Sequence, residues 1–205
     1  MLARTVDVLI IGGGFAGAFA ADGLERRLRG RDVRVLLVAP ENFLLFSPLL
    51  PEAASGTIEP RHAVVPLREL LHRTDLVVGS VGGLDIEGRR ATVVDLAGTE
   101  HEVSYRTLVL CPGSGPVIAP VPGLVDQAVG FKTLADAIWL RNRLVHQLEA
   151  ASATAPDRRR RLLTFTFVGG GYAGVEALAE LESMARDLLA DLYPGVRRIL
   201  ADARA

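Results

Sequence analysis

One cysteine, Cys111, stands among 205 residues. A disulfide framework, a Cys-x-x-Cys redox pair and a cysteine-held zinc site all need more than one thiol, so all three are excluded. A lone thiol fits a reducing, cytoplasmic compartment. Histidine is scarce too, with His62, His72, His101 and His146 only, and none sits at metal-ligand spacing from a partner, so no metal is expected. Charge of one sign is missing as well: the formal net charge is −1 with both signs interspersed. That argues against a nucleic-acid footprint. The single basic run, Arg158 to Arg161, follows Ala155-Pro156 and reads as a solvated loop. No apolar run of about 18 residues or more occurs, so no membrane span is expected. The apolar stretch from Val6 to Ala21 superficially suggests a signal peptide, but it contains three consecutive glycines, Gly12 to Gly14, with Asp7 and Asp22 near its ends. A strand, a turn and a helix explain it better.

The composition, 49% hydrophobic and 23% charged, is that of a folded globular chain. Thr5 to Ile11 and Val33 to Val38 are apolar, β-branched runs that suit buried parallel strands. Between them Ala18 to Leu28 reads as a helix with arginines at its negative end and Gly30 as a C′ residue. Asn42 to Pro66 carries four prolines among aromatic and aliphatic residues and is expected to be irregular. Asp75 to Asp85, Ala91 to Leu96 and Glu102 to Tyr105 read as three short strands joined by glycine turns. Thr107 to Cys111 reads as a further buried strand, closed by Pro112-Gly113-Ser114-Gly115-Pro116. Thr133 to Asp136 has the form of a capping box. The helix after it would present Leu134, Ile138, Val145 and Leu148 on one face. Ala150 to Pro156 reads as a loop and Leu163 to Val168 as a strand. A long helix is expected from about Val175 to Tyr193, stopped by Pro194-Gly195.

A Gly-x-Gly-x-x-Gly loop occurs twice, each time after an apolar run and before a helix. Gly12, Gly14 and Gly17 recur at the same spacing as Gly169, Gly171 and Gly174, and Phe15-Ala16 corresponds to Tyr172-Ala173. In a dinucleotide-binding turn the first glycine permits the tight bend, the second lets a pyrophosphate approach the backbone, and the third lets helix and strand pack closely. The helix N-terminus then faces the phosphates. One copy would be a weak signal; two in the same context imply two dinucleotides. In two-domain flavoproteins these are FAD first and NAD(P)H second.

The sequence resembles the type II NADH:quinone oxidoreductases, along essentially its whole length. The most specific match is Asn42 to Pro60, with its Phe46-Ser47-Pro48-Leu49-Leu50 core and Gly56-Thr57-Ile58-Glu59-Pro60 ending. Leu108 to Ser114, Phe131 to Ala137 and Gly169 to Leu181 also match. The resemblance implies an α/β chain. A Rossmann-like FAD domain over residues 1–118, with a small antiparallel meander near 75–105, would be followed over 119–205 by the start of a second, NAD(P)H-binding domain. By the same resemblance Gly12, Gly13, Gly14, Phe15, Ala16 and Gly17 hold the FAD pyrophosphate, Pro48 lies in the segment beside the flavin, and Val81 meets the adenine through its backbone. Gly113 and Ser114 mark the turn out of the FAD domain. Gly169, Gly171 and Gly174 hold the NADH pyrophosphate, and Glu176 lies near the nicotinamide–flavin contact. The implied reaction passes a hydride from NADH to FAD and electrons on to a quinone or another acceptor. Peripheral association with the cytoplasmic face of a membrane and a homodimer are compatible with it.

Three departures stand out. Strand two of a dinucleotide fold usually ends in an acid that bonds ribose hydroxyls; here Ala39 holds that place, and Glu41 is the nearest substitute. Pro112 replaces a less constrained residue. The chain also ends before a second NAD-domain strand reads convincingly. That raises a rival expectation of a truncated nucleotide-binding remnant with weak FAD retention and no turnover. A sulfide:quinone reductase relative is the other rival, disfavoured because sulfide oxidation needs reactive cysteines and Cys111 is alone. Glu176 also has a plain explanation, since an acid in a helix's first turn is favoured by the dipole. Glu180 reads as an exposed helix residue, Lys132 as surface, and Cys111 as a small buried side chain.

Overall fold

The computed structural model of the chain describes residues 5–115, 118, 120–193 and 196. Two compact units emerge, Met1–Leu45 with Val64–Gly115, and Phe46–Ala63 with Pro116–Ala205.

The first unit is α/β with a mixed sheet. β1 (Thr5–Ile11) and β2 (Val35–Ala39) lack an alternating polar face, as strands covered on both sides do. They pair in parallel, Val8 opposite Val35 through Ile11 opposite Val38. α1 (Phe15–Arg27) crosses between them and fully buries Ala18 and Ala21. β3 (Phe43–Leu45) and β4 (Val64–Pro66) form a short antiparallel ribbon, and one helical turn, α3 (Leu67–Leu70), follows. β5 (Asp75–Asp85) begins parallel to β2 and continues antiparallel to β6 (Arg90–Asp95). β7 (Glu100–Leu110) pairs antiparallel with β6 and parallel with β1, so that Ser104 lies opposite both Arg90 and Thr5. Each of β1, β2, β5, β6 and β7 therefore has two neighbours, and the five close into a ring.

Two apolar clusters line this ring. Val8, Ile10, Val35, Leu37 and Ala39 meet Ala18 and Ala21 of α1 and Leu67 and Leu71 of the α3 region. Leu9, Leu36 and Val38 meet Ala91, Val93, Val103 and Tyr105. Alternate residues of β2 thus serve opposite faces, as the two-residue strand period requires. Glu25 of α1 ties the helix to the approach of β5, accepting from the backbone N–H groups of His72 at 3.1 Å, Arg73 at 2.9 Å and Thr74 at 2.7 Å. Partial burial works to raise the Glu25 carboxyl, but the Arg73 N–H and its neighbours outweigh it, and the group sits below its ordinary value.

The segment expected as two strands, Glu102 to Tyr105 and Thr107 to Cys111, is one strand. Arg106 interrupts the apolar pattern, but its guanidinium pairs with Asp7 across the β1–β7 ladder at 3.1 Å and the backbone runs straight through. The meander is thus built from extensions of sheet strands.

The second unit is helical among the described residues. A 3-10 turn (Ser47–Leu49) leads into α2 (Leu50–Ser55), and a second such turn spans Pro60–Ala63. The later helices are α4 (Leu124–Gln127), α5 (Leu134–Ser152), α6 (Pro156–Leu162) and α7 (Tyr172–Asp191). α2 lies against both α5 and α7. Its buried Leu50, Ala53 and Ala54, with Ala137, Leu144, Leu148 and Ala151 of α5 and Ala177 and Leu181 of α7, make an alanine-rich interface in which backbones approach closely. The Thr133–Asp136 capping box at the start of α5 is formed on both sides.

Sequence and structure part company at several places here. The buried stripe of α5 is displaced by about one residue from the expected one, because alanines 137 and 151 supply contact that a reading by side-chain size overlooks, and Ile138 is left exposed. Arg158 to Arg161 lie on α6 instead of a loop. Leu163 to Val168 form no strand: no ladder partner for them exists among the described residues, and Phe165 and Val168 remain exposed. Pro194 and Gly195, the expected stop of the last helix, and Pro116 of the proline-glycine turn lie outside the described residues.

Candidate functional site

The first glycine loop is stitched to both neighbouring strands. Gly12 N donates to the Val38 carbonyl at 2.8 Å, and Cys111 N donates to the Ile11 carbonyl at 2.8 Å. Gly12 has φ +107°, and a Cβ there would lie 1.9 Å from the Cys111 carbonyl oxygen. No side chain fits. A Cβ on Gly17 would lie 1.8 Å from the Gly12 carbonyl oxygen, and one on Gly13 would lie 2.6 Å from the Ala39 Cβ. Protein atoms thus close off Gly12, Gly13 and Gly17. Gly14 is different: nothing stands within 4 Å of where its Cβ would be. It is the N-cap of α1, with φ −73° and ψ −170°, and it offers no side-chain oxygen to the first turn. Backbone with open space in front, at the positive end of a 13-residue helix, is an arrangement that admits an anionic group. Phe15 and Phe19 stand exposed beside it, ring centroids 6.3 Å apart and nearly parallel. Ala16 is exposed and Gly17 buried.

The departure at the end of strand two has a packing cause. Ala39 is 1% exposed and its Cβ faces Gly13; an acidic side chain there would need the space that Gly13 fills. Glu41, two residues on, is exposed and makes no hydrogen bond or ion pair with the described residues. Val81 lies half-buried in β5 opposite Val93, just before the register shift at Val81/Gly83. Gly113 follows β7 with φ +74° and open space around it. Cys111 is half-buried, more accessible than its apolar surroundings in the sequence suggest. All of these positions belong to the first unit.

The second loop repeats the backbone of the first. Gly169 has φ +108°, and Gly171, the N-cap of α7, has φ −70° and ψ 159°. It closes less tightly: a Cβ on Gly174 would lie 3.7 Å from the Gly169 carbonyl oxygen, ordinary contact where the first loop would collide. α7 starts at Tyr172, earlier than expected, so Glu176 is its fifth residue and lies outside the first turn, where the dipole argument is weakest. Glu176 is exposed and has no partner among the described residues. Pro48 is also exposed, in the Ser47–Leu49 turn. These positions belong to the second unit.

Glu180, expected to be a bare surface acid, is half-buried and engaged. It accepts from Ser55 Oγ at 2.7 Å and Thr57 Oγ1 at 3.2 Å. The only sequence signal was a pair of hydroxyls flanking Gly56 immediately after a helix. Glu25 escaped sequence reading altogether, because its partners are backbone groups. Among the described residues no three His, Cys, Asp or Glu side chains gather as a metal site, and no helix is long and apolar enough to cross a membrane.

A family model, pyridine nucleotide-disulphide oxidoreductase, matches residues 6–200. The type II NADH:quinone oxidoreductase Ndh of Mycobacterium tuberculosis is 33% identical over 209 residues, which cover 98% of this chain and 44% of that protein. The external NADH-ubiquinone oxidoreductase 2 of Saccharomyces cerevisiae mitochondria is 33% identical over 210 residues, covering 96% of this chain and 38% of that one. Among solved structures, NDH2 of Plasmodium falciparum in complex with NADH superposes with a TM-score of 0.86 at 21% identity, over 96% of this chain and 40% of that one. That superposition establishes a shared Rossmann-type α/β fold. The chain spans less than half the length of these relatives.

Proposed function

The chain belongs to the pyridine nucleotide-disulphide oxidoreductase family, and from that premise we propose that it serves an FAD-dependent NADH:quinone oxidoreductase. The observation that carries the reading is the pair of glycine loops with one backbone conformation, Gly12 at φ +107° and Gly169 at φ +108°, each opening a long helix on an uncapped glycine. Two such loops suit two dinucleotides, and the relatives named above carry NADH and a quinone in their names.

In this reading residues 1–118 bind FAD and residues 119–205 contribute to the NAD(P)H site. The residues fit: Gly14 leaves a backbone cradle that any Cβ would fill, and helix α1 aims its positive end at it. Gly12, Gly13 and Gly17 hold that cradle in shape, while Phe15 and Ala16 supply first-turn N–H groups. Glu41 serves the ribose, Val81 the adenine through its backbone, and Gly113 the turn leaving the sheet, with Pro48 in the segment beside the flavin. Gly169, Gly171 and Gly174 hold the second pyrophosphate. Glu176 orients the nicotinamide end. Bound FAD would supply hydride acceptance and electron release; the chain's own work is binding, alignment and exclusion of water. The reading extends to peripheral association at the cytoplasmic face of a membrane and to a homodimer.

Two observations favour a second reading, a nucleotide-binding chain without turnover: Leu163 to Val168 lacks a sheet partner among the described residues, and the second loop closes loosely. The visible spectrum of the purified protein separates the two. A flavin spectrum that bleaches with NADH under anaerobic conditions and recovers on adding a quinone supports the reductase. Flavin that binds but does not bleach supports the second reading, and protein that takes up no FAD overturns the first.

A further inference from the structure

α7 is a 20-residue helix that lies against α2, with few of its side chains fully buried. Among its described side chains only Ala177 and Leu181 are buried, while Tyr172, Val175 and Leu178 are exposed, Tyr172 by 90%. Between the two buried residues stands Glu180. Its carboxylate receives the hydroxyls of Ser55 at 2.7 Å and Thr57 at 3.2 Å, and these hydroxyls lie 2.8 Å from each other. They flank Gly56, the αL cap of α2 at φ +80°. On its other side Gly56 is covered by Arg141 of α5, whose guanidinium would lie 3.1 to 3.3 Å from any Cβ placed there. The turn after α2 is therefore pinned between α5 and α7, and on the α7 side the pin is the Glu180 carboxylate. Hydrogen bonds to an ionised carboxylate are about twice as strong as neutral ones. They fix the N-terminal half of α7, where Ala177 and Leu181 are the fully buried residues, while the Tyr193 hydroxyl, donating to Glu149 of α5 at 2.6 Å, ties its far end.

We propose that Glu180 is a positioning residue for the second nucleotide site: with Ser55 and Thr57 it fixes the direction of α7 and so the aim of the Gly169–Gly174 loop. The inference rests on the assignment of that loop to NAD(P)H. Glu180 lies nine residues beyond the Gly171 N-cap, about 13 Å along the axis. A helix carries orientation over that distance as a rigid rod, so loosening one end misaims the other.

The test is NADH binding to the purified FAD-loaded protein, its flavin first reduced anaerobically with dithionite so that no hydride transfer follows, read by calorimetry for Glu180→Ala, Glu180→Gln and the double variant Ser55→Ala/Thr57→Val. FAD content and circular dichroism are followed alongside. Glu180→Ala and the double variant should weaken NADH about tenfold with FAD content and helix signal unchanged, and Glu180→Gln, which keeps an acceptor oxygen, should recover part of the loss. NADH affinity unchanged in Glu180→Ala while the wild type binds NADH overturns the positioning role and leaves the site assignment standing. Loss of FAD and NADH together overturns it too, by making Glu180 a general fold residue. A wild-type protein that binds FAD but no NADH overturns the inference and the second-site assignment alike.

Discussion

Gly14 and Gly17, three residues apart, should separate folding from ligand binding. Alanine at position 17 would place a Cβ 1.8 Å from the Gly12 carbonyl oxygen. The methyl carbon is fixed to its own Cα and the oxygen it meets is backbone, so no rotamer change relieves the clash, and α1 must withdraw from the Gly12 turn by more than an ångström. Overpacking of this kind costs about 1–3 kcal/mol, and a contact with backbone belongs at the upper end. Alanine also recovers about 1 kcal/mol of helix propensity over glycine. The net loss is about 2 kcal/mol, a fall in Tm of about 4–8 °C for a chain of this size. Gly14→Ala is the opposite case. Its φ of −73° suits any residue, and nothing lies within 4 Å of the new methyl group. Its stability cost is confined to poorer capping, about 0.5–1 kcal/mol. That methyl group would, however, sit where the pyrophosphate is proposed to meet the backbone, and FAD affinity should fall by about a hundredfold, about 2.7 kcal/mol. Thermal melts of the apoprotein and FAD titration by absorbance read the two effects. Wild-type FAD affinity in Gly14→Ala would refute the cradle, and an unshifted Tm in Gly17→Ala would refute the packing.

Other expectations are direct. Glu176→Gln should leave Tm unchanged, because the side chain is exposed and unpartnered among the described residues. It should slow anaerobic flavin reduction by NADH about tenfold in stopped flow, about 1.4 kcal/mol of barrier; an unchanged rate counts against its role. Glu25→Gln should cost about 1 kcal/mol at neutral pH, because a neutral amide accepts more weakly from three backbone N–H groups. The folded-state pKa of Glu25 is depressed, so its contribution is full above the ordinary carboxylate pKa and is lost as pH falls through the lowered one. The gap in Tm between wild type and variant should therefore close in acid, and a constant gap would contradict the assignment. Thr133→Ala should cost about 1 kcal/mol by breaking the α5 capping box, seen as a lower denaturant midpoint with unchanged slope.

How much of this was legible in the sequence varies with the origin of each feature. β1, α1 and β2 were readable because uniform apolar runs and a glycine turn report burial directly. The two glycine loops were readable as a repeat, and their matching backbone angles follow from it. The capping box was readable because it is a local pattern, Thr133 to Asp136, and needs nothing from elsewhere. The continuity of β7 was hidden, since whether Arg106 breaks a strand depends on Asp7, which pairs with it across the ladder. Helix α6 was hidden because four arginines carry helix propensity and solvation together and look alike as loop or helix. The strand expected at Leu163 to Val168 shows the reverse error: its residues favour a strand, but a strand exists only with a partner. Glu180 was hard to read because its meaning lies in two hydroxyls, flanking Gly56, more than a hundred residues earlier in the chain.

The closed ring of strands sets an order on the birth of the molecule. Thr5 meets its partner Ser104 only after almost the whole first unit has been synthesised. At about 5–20 residues per second on the ribosome, that partner trails by about 5–20 s. β2 arrives early and can cover one side of β1, but the other side, from Val6 to Ile11, stays an open apolar edge through that interval. A slow codon or a stalled ribosome before β7 would therefore lengthen the window in which that edge can pair with another nascent chain. Translation speed between residues 39 and 104 thus bears on the yield of folded protein.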